Sequence, residues 1–330
     1  MESDWKRWAW PLAKLLFAAA ILVGVSWQFY SDLTQKDRDG RPLLYDLRWQ
    51  PGWLALSALL YVAFLSSSCW YWRRLLQHFG KVPPPSVTTR AYFVSQLGKY
   101  VPGKAWSLLL RGGLVRDANL RFGLAVLTCF YEVLTTMASG ALAAAIAFII
   151  EPPAALDLYM SPVLAGVLLV GLCGVPLLPA VFNRIVGRIA HRLHVENGAP
   201  LPKVDLWLLL QGFAATMCGW GLLGLSVWAG FAAVLPERPP LDLAIWLRCL
   251  GAIGLAYVGG FLIPFLPAGL GGREVILRRL LGYTGSEAPV AIVVSVLLMR
   301  LAWTTADVIL AGILYLSPTA KYRQNDHVTE

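Results

Sequence analysis

Charged residues are scarce in this sequence. They make up 14% of its 330 positions, whereas soluble domains carry about 25%. Hydrophobic residues make up 57%, and apolar stretches long enough to cross a bilayer recur along the chain. No stretch has the size and polarity of a separate soluble domain. These features exclude an ordinary soluble protein and predict a single all-α polytopic membrane domain.

Motifs for common catalytic and cofactor chemistry are also missing. We find no Gly-x-Ser-x-Gly motif, no paired carboxylates in a polar domain, and no strand before the glycines at 269–272, which a nucleotide loop would need. The five cysteines lie in apolar stretches without metal-ligand spacing, so we expect buried, reduced thiols. His191 and His194 have no carboxylate or cysteine partner nearby. We therefore predict no enzyme, no metal and no cofactor.

The net charge of +9 has two explanations, a nucleic-acid partner or the cytoplasmic excess of Lys and Arg in membrane proteins. We adopt the second and expect no nucleic acid. Basic residues cluster at both ends of the chain and at 73–90, 111–121 and 184–203, where they form a basic loop, whereas 151–160 has none. Placing the basic segments in the cytoplasm satisfies alternation throughout. We therefore predict a protein of the cytoplasmic (inner) membrane. Both of its termini are predicted to lie in the cytoplasm.

Eight hydrophobic segments are predicted, of which six cross the membrane and two are broken. The six spans cover about 11–30, 51–72, 121–150, 161–183, 204–234 and 288–317. The first follows basic residues, as a signal peptide does, but lacks a clear small-residue cleavage site, so we expect an uncleaved span. The broken segments are 86–115 and 242–282. They belong to repeat one, about 11–150, and repeat two, about 161–317.

Each broken segment is interrupted by proline and glycine. The first breaks at Pro102 and Gly103, and its limbs of 86–98 and 104–115 are each too short to cross a core of about 30 Å. A re-entrant hairpin is the simplest interpretation. The second breaks at Pro267, Gly269 and Gly271, but its first limb is long enough to cross, so a full-depth and a re-entrant helix both remain open.

The order of segments predicts an inverted repeat. The first broken segment is entered from the cytoplasm and the second from the outside, a layout typical of transporters with a binding site between the repeats. The intramembrane charges fall at similar places, since Glu132 follows Pro102 by 30 residues and Arg300 follows Pro267 by 33. Broken helices are tolerated at this depth only when packed in protein or lining a wet cavity.

Cations flank both breaks. Lys99 and Lys104 flank the first and Arg273 the second, and exposed backbone N–H groups at helix N-termini also favour anions. Together they predict a phosphate-binding site for a lipid headgroup; the alternative is that they snorkel to the interface or neutralise nearby acids. Further candidates for substrate contact are Gln96, Tyr100, Trp106 and Arg111, although packing or interfacial anchoring also accounts for the aromatic and amide side chains.

Charges inside spans are candidates for gating or coupling. Glu132 and Arg300 each cost ~3 kcal/mol or more in a bilayer, so they are expected to face a cavity or each other. A coupling element and a static salt bridge are both open interpretations. Asp307 lies seven residues after Arg300 on one helix face, and a network with Glu132 is conceivable. Glu274, beside Arg273, completes this set.

The run Gln96-Leu97-Gly98-Lys99-Tyr100-Val101-Pro102-Gly103-Lys104-x-Trp106, with Pro267-x-Gly269-x-Gly271-x-Arg273-Glu274 later, resembles the lysylphosphatidylglycerol synthase transmembrane-region family. The resemblance covers most of the chain. It implies lipid translocation between leaflets. In two-part members a soluble C-terminal domain makes the aminoacyl lipid; this sequence shows no such domain before Glu330, so we expect no aminoacyl transfer.

These observations together predict a flippase for an anionic phospholipid or a polyprenyl-phosphate-linked lipid. The alternatives are a non-catalytic membrane partner of a lipid-linked glycosyltransferase and an integral-membrane lipid-modifying enzyme. The expected ligand is therefore a membrane lipid. If the protein acts with a protein partner, a glycosyltransferase or a lipid-synthesis enzyme is the partner that these alternatives imply. The sequence leaves the oligomeric state and energy coupling open.

Overall fold

The computed structural model describes residues 49–80, 83–100, 105–115, 122–152, 178–192, 203–235, 238–262, 272–281 and 289–317, and positions 168, 171, 174 and 175. The described residues are mostly helical, with no strand among them. Several predictions lie outside them: span one, both termini, most of span four, and the break residues Pro102, Gly103, Lys104, Pro267, Gly269 and Gly271.

Nine α-helices follow one another along the described part of the chain. They are α1 (Pro51–Phe79), α2 (Pro85–Gln96), α3 (Ala105–Val115), α4 (Phe122–Ile150), α5 (Pro179–Arg192), α6 (Leu206–Ala232), α7 (Leu243–Leu262), α8 (Gly272–Leu281) and α9 (Pro289–Leu316), with a 3-10 turn at Leu97–Tyr100 after α2. Five of them, α1, α4, α6, α7 and α9, are long and apolar enough to cross a membrane. Proline at the first position of α1 and α2 fits the helix start, where its missing N–H costs nothing.

The bundle is built around α1 and α6, which run antiparallel. At one end the Gln50 amide donates to the Ala233 carbonyl at 3.0 Å, and at the other the His78 ring lies 2.8 Å from the Lys203 carbonyl. Asp205 caps α6 by accepting from the Leu208 amide at 2.8 Å. Helices α4, α7 and α9 pack around this pair, so the long helices bury their shared faces and expose apolar side chains outward.

Two pairs of consecutive helices fold back as antiparallel hairpins: hairpin one is α2 with α3, and hairpin two is α7 with α8. In the first, Gly98 lies against the backbone of Ser107, and the Arg111 Nε donates to the Ser95 hydroxyl at 3.0 Å. A Cβ on Gly98 would come within 2.8 Å of Ser107 backbone atoms, so only glycine permits this approach. In the second, Gly260 lies against the Arg273 side chain, because α8 returns along α7.

The hairpins start at opposite ends of the α1–α6 pair. The first begins beside the C-terminal end of α1, where the Arg73 guanidinium donates to the Pro83 carbonyl and the Thr88 hydroxyl, each at 3.0 Å. The second begins beside the C-terminal end of α6, where the Trp228 indole donates to the Pro239 carbonyl at 3.2 Å. Since α1 and α6 are antiparallel, the hairpins enter the bundle from opposite sides.

Two expectations about the sequence need correction. The stretch predicted as a basic loop at 184–203 begins as helix α5, with Arg184 and Arg188 exposed one turn apart and Phe182 buried against the Tyr131 ring at 4.1 Å. An amphipathic pattern therefore forms a helix here instead of an irregular connection.

The second correction concerns the cysteines, which were all predicted to be buried. Cys69, Cys129 and Cys249 are buried, but Cys218 is exposed because it lies on an outward face of α6.

Close packing between α4 and α6 makes Gly140 sensitive to substitution. A Cβ at this position would meet the ring of Trp220, whose indole donates to the Thr136 carbonyl at 3.0 Å and so cannot move freely. We expect Gly140→Ala to lower the free energy of unfolding by about 1–3 kcal/mol. Gly123→Ala on the same helix, with open space around it, should be neutral or slightly stabilising. Thermal unfolding in detergent measures both, and equal behaviour would contradict this packing.

Candidate functional site

A cavity of about 120 Å³ lies inside the bundle, and several charged and polar side chains border it. Its volume is that of roughly four water molecules at about 30 Å³ each. The lining side chains come from α1, α2, the 3-10 turn, α3, α4, α7 and α8: Phe64, Leu65, Ser68, Tyr92, Gln96, Lys99, Ser107, Arg111, Glu132, Val133, Thr136, Met137, Tyr257, Gly260 and Arg273. Both hairpins therefore contribute to one cavity.

The cavity lies near the middle of the long helices. Its α1 residues, Phe64 to Ser68, begin 13 positions after Pro51 in a helix of 29 residues. At 1.5 Å per residue they lie about 20–25 Å along a helix of about 43 Å. Polar groups this far along apolar helices need protein or water as hydrogen-bond partners, because lipid supplies none.

The first ion pair at the cavity is Arg111 with Glu132. The guanidinium Nη1 donates to Glu132 Oε2 at 2.8 Å, and the two side chains are 4% and 3% exposed. Hydroxyl groups of Thr136 and Tyr92 donate to the other carboxylate oxygen at 3.3 and 3.4 Å. The Arg111 guanidinium also lies over the Tyr92 ring, 4.0 Å from its centroid. This pair joins hairpin one to α4.

The second ion pair is Lys99 with Asp307. The Lys99 ammonium lies 2.6 Å from Asp307 Oδ2 and donates to the Tyr61 hydroxyl at 2.6 Å. Tyr61 and Tyr100 donate to the Asp307 carboxylate at 3.2 and 2.8 Å. Stacking of Tyr61 on Trp303, with centroids 4.9 Å apart, fixes the phenol. This pair joins the tip of hairpin one to α9.

The third cation at the cavity is Arg273, from hairpin two. Its guanidinium lies 3.6 Å from the centroid of the Tyr257 ring, a close cation–π contact. Tyr257 is held in turn by edge contacts with Trp220 and Phe64 at 5.3 and 6.0 Å. Among the described residues, Lys99, Arg111 and Arg273 thus bring three cations to the cavity.

The structure brings together part of the predicted set. Gln96, Lys99, Arg111, Glu132 and Arg273 line the cavity, and Tyr100 and Asp307 lie directly behind Lys99. Trp106 does not line it and is 51% exposed. Arg300 is half-buried two turns before Asp307. Glu274 lies on α8, where its side chain is not described. Among the described contacts, Glu132 pairs with Arg111 and Asp307 pairs with Lys99, so each carboxylate has a different cation of hairpin one as its partner.

Sequence reasoning missed several polar residues of the cavity. Tyr92 lies one turn before Gln96 on α2, and Ser68 and Thr136 are 3.4 Å apart across α1 and α4. Tyr61 and Tyr257 lie in apolar runs that look like ordinary spans. The sequence pattern that could have found these residues is a set of hydroxyl groups at helical spacing within a span. This pattern is a weak indicator of a site, because such hydroxyl groups also donate hydrogen bonds to the backbone of their own helix.

The fold and cavity define a class, a multi-pass α-helical membrane protein with a buried cationic cavity between two helical hairpins. The chain belongs to the family described as the lysylphosphatidylglycerol synthase TM region, whose model matches residues 11–310. Membership points to a lipid-related function in the membrane, and this region is the non-catalytic part of some proteins. No curated protein gives a significant match to the chain.

Proposed function

We propose that this protein moves a lipid with an anionic, phosphate-bearing headgroup between the leaflets of the cytoplasmic membrane. The observation that carries the proposal is the cavity at mid-depth, where cations from both hairpins converge within a bundle of apolar helices. A headgroup phosphate would bring negative charge to these cations, while the apolar tails stay in lipid. Arginine suits phosphate because its planar fork donates two parallel hydrogen bonds.

Lys99 and Arg273 are the proposed phosphate ligands. Both line the cavity, and they approach it from hairpins that start at opposite ends of the bundle. A phosphate between them would contact both halves of the chain at once. Lys104 and the backbone at the two breaks are proposed to complete the site, as the sequence pattern indicates.

Alternating access follows from the same layout. The opposite entry of the hairpins supports an inverted repeat, in which rocking of one half against the other exposes a central site to each side in turn. Glu132, Arg300, Glu274 and Asp307 are the proposed gating elements. The basic ends at Arg73, Arg74, Arg184 and Arg188 support a cytoplasmic location for the C-terminal end of α1.

Reconstitution of the purified chain into liposomes tests the proposal. Lipids labelled on an acyl chain should become accessible to an external quencher faster than in protein-free vesicles, with phosphatidylglycerol and phosphatidic acid moving faster than phosphatidylcholine. The label belongs on the tail because a cavity of about 120 Å³ leaves little room beside a phosphate. If no lipid class moves faster than in protein-free vesicles, the transport proposal fails, and a role as a partner of a lipid-modifying enzyme becomes the better explanation.

A further inference from the structure

The two ion pairs at the cavity are held differently. Arg111 and Glu132 are both almost fully buried, at 4% and 3% side-chain exposure, and Arg111 has further contacts with Ser95 and the Tyr92 ring. Lys99 is 22% exposed although its partner Asp307 is only 1% exposed. Lys99, Arg111 and Glu132 all line the cavity, but among these three side chains Lys99 alone keeps an appreciable exposed fraction.

Asp307 keeps hydrogen-bond donors that do not depend on Lys99. The Tyr61 hydroxyl lies within 3.3 Å of both carboxylate oxygens, and the Tyr100 hydroxyl donates to Oδ2 at 2.8 Å. Hydrogen bonds from neutral donors to an ionised carboxylate are stronger than neutral–neutral ones. The carboxylate could therefore stay paired with two phenols if the ammonium group moved away.

Lys99 has a side chain suited to such a movement. Its ammonium is a compact charge on a flexible stem, unlike the planar arginine fork. The group lies 5.3 Å from the ring centroids of both Tyr61 and Tyr100, so aromatic faces border it as well as the carboxylate. Since Lys99 also lines the cavity, a phosphate there and Asp307 would compete for the same ammonium.

We propose that Asp307 is a built-in counter-anion that occupies Lys99 until a headgroup phosphate displaces it. The inference rests on the proposed function and deepens it by assigning Asp307 as a positioning residue that lowers headgroup affinity. Lys99 exchanges one anionic partner for another, while Tyr61 and Tyr100 continue to donate to the carboxylate. No covalent bond changes in this exchange.

The exchange couples binding to movement of the hairpin. Lys99 lies at the tip of hairpin one and Asp307 on α9, 208 positions later in the chain, so their ion pair ties the two halves together. A headgroup that binds Lys99 breaks this ion pair and therefore favours conformations in which hairpin one separates from α9. A ligand shifts such an equilibrium only through contacts that differ between the states, and the Lys99–Asp307 contact is one.

A double-mutant cycle on headgroup affinity tests the exchange. The full chain in detergent is titrated calorimetrically with dioctanoyl phosphatidylglycerol, and in a second arm with water-soluble glycerol phosphate, to separate a lipid from a free phosphate ester. We expect Asp307→Asn to tighten binding at least about fivefold, the lower end of typical coupling, and Lys99→Ala to weaken it. In the Lys99→Ala background, Asp307→Asn should change nothing, because its effect acts through the ammonium.

Controls separate this inference from the proposed function. Glu151→Gln removes a carboxylate whose ion pair with Arg248, at 3.3 Å, is partly exposed and outside the cavity; it should leave affinity unchanged. If wild type binds neither probe, the headgroup site and the exchange both fail. If wild type binds and Arg273→Ala abolishes binding, but Asp307→Asn leaves affinity unchanged or weakens it, the site stands and the exchange is wrong.

A charge-reversed variant covers the case in which Asp307→Asn does not fold. Lys99→Asp with Asp307→Lys keeps one cation and one anion in contact but moves the cation away from the cavity, onto α9. We expect this variant to fold and to bind the probe as weakly as Lys99→Ala. Binding at wild-type strength would overturn the proposal, because it would show that the position of the ammonium is irrelevant.

Discussion

Replacing Arg273 by alanine should reduce lipid transport to the rate of protein-free vesicles. Arg273 is the described cation that hairpin two brings to the cavity, and its guanidinium is preorganised by the Tyr257 ring at 3.6 Å. Removing one partner of a buried charged contact costs about 2–5 kcal/mol of binding, which corresponds to a loss of roughly thirtyfold or more in affinity. The liposome assay with acyl-labelled phosphatidylglycerol measures the transport rate directly.

Arg279→Ala is the matched control for this experiment. Arg279 lies on the same helix α8, six positions after Arg273, and is exposed; its removal should leave transport near the wild-type rate. Arg273→Lys should be intermediate, because lysine keeps the charge but loses the fork and the flat face that stacks on Tyr257. Normal transport by folded Arg273→Ala would show that the headgroup does not use this cation.

Helix positions could be predicted because each depends on local sequence. The apolar runs predicted at 121–150 and 288–317 correspond to α4 and α9, and the limbs at 86–98 and 104–115 correspond closely to α2 and α3 with the turn between them. Proline and glycine mark the ends and breaks of these segments, and their positions can be found in a single sequence. The predicted second broken segment, 242–282, contains α7 and α8, and α7 is long enough to cross a membrane.

Partners within the site could not be predicted in the same way. The sequence leaves the partner of Glu132 open, and the structure pairs it with Arg111, because the hairpin folds back and packs α3 along α4. Asp307 instead meets Lys99, which lies 208 positions earlier. Such pairs depend on how helices rotate and pack, which the period of apolar residues constrains only to a face.

The basic segment after position 179 shows a different limit. Counting charges predicts that this segment lies in the cytoplasm, but the count does not reveal that Pro179–Arg192 is helical. The local evidence for a helix is its amphipathic pattern, with Arg184 and Arg188 exposed four positions apart and Phe182 buried. Charge number predicts topology, whereas structure in such a segment depends on where its few apolar residues can pack.

The Arg111–Glu132 pair should give the largest effect on stability. Arg111→Ala leaves the Glu132 carboxylate buried with only the Thr136 and Tyr92 hydroxyls as described donors. Breaking a buried ion pair from one side destabilises a protein by about 3–5 kcal/mol, because the remaining charge has lost its partner. It would also release hairpin one from α4. We expect this loss in reversible unfolding measured in mixed detergent micelles.

A double variant decides whether the loss comes from the unpaired charge. Arg111→Met with Glu132→Leu replaces both charges by apolar groups, and such replacements of buried ion pairs are often neutral or stabilising. We expect it to recover most of the stability that Arg111→Ala loses, since no buried charge is left without a partner. If the double variant were as unstable as Arg111→Ala, the stabilising contribution of Arg111 would have to come from its contacts with Ser95 and the Tyr92 ring, and the ion pair would not be what holds hairpin one against α4.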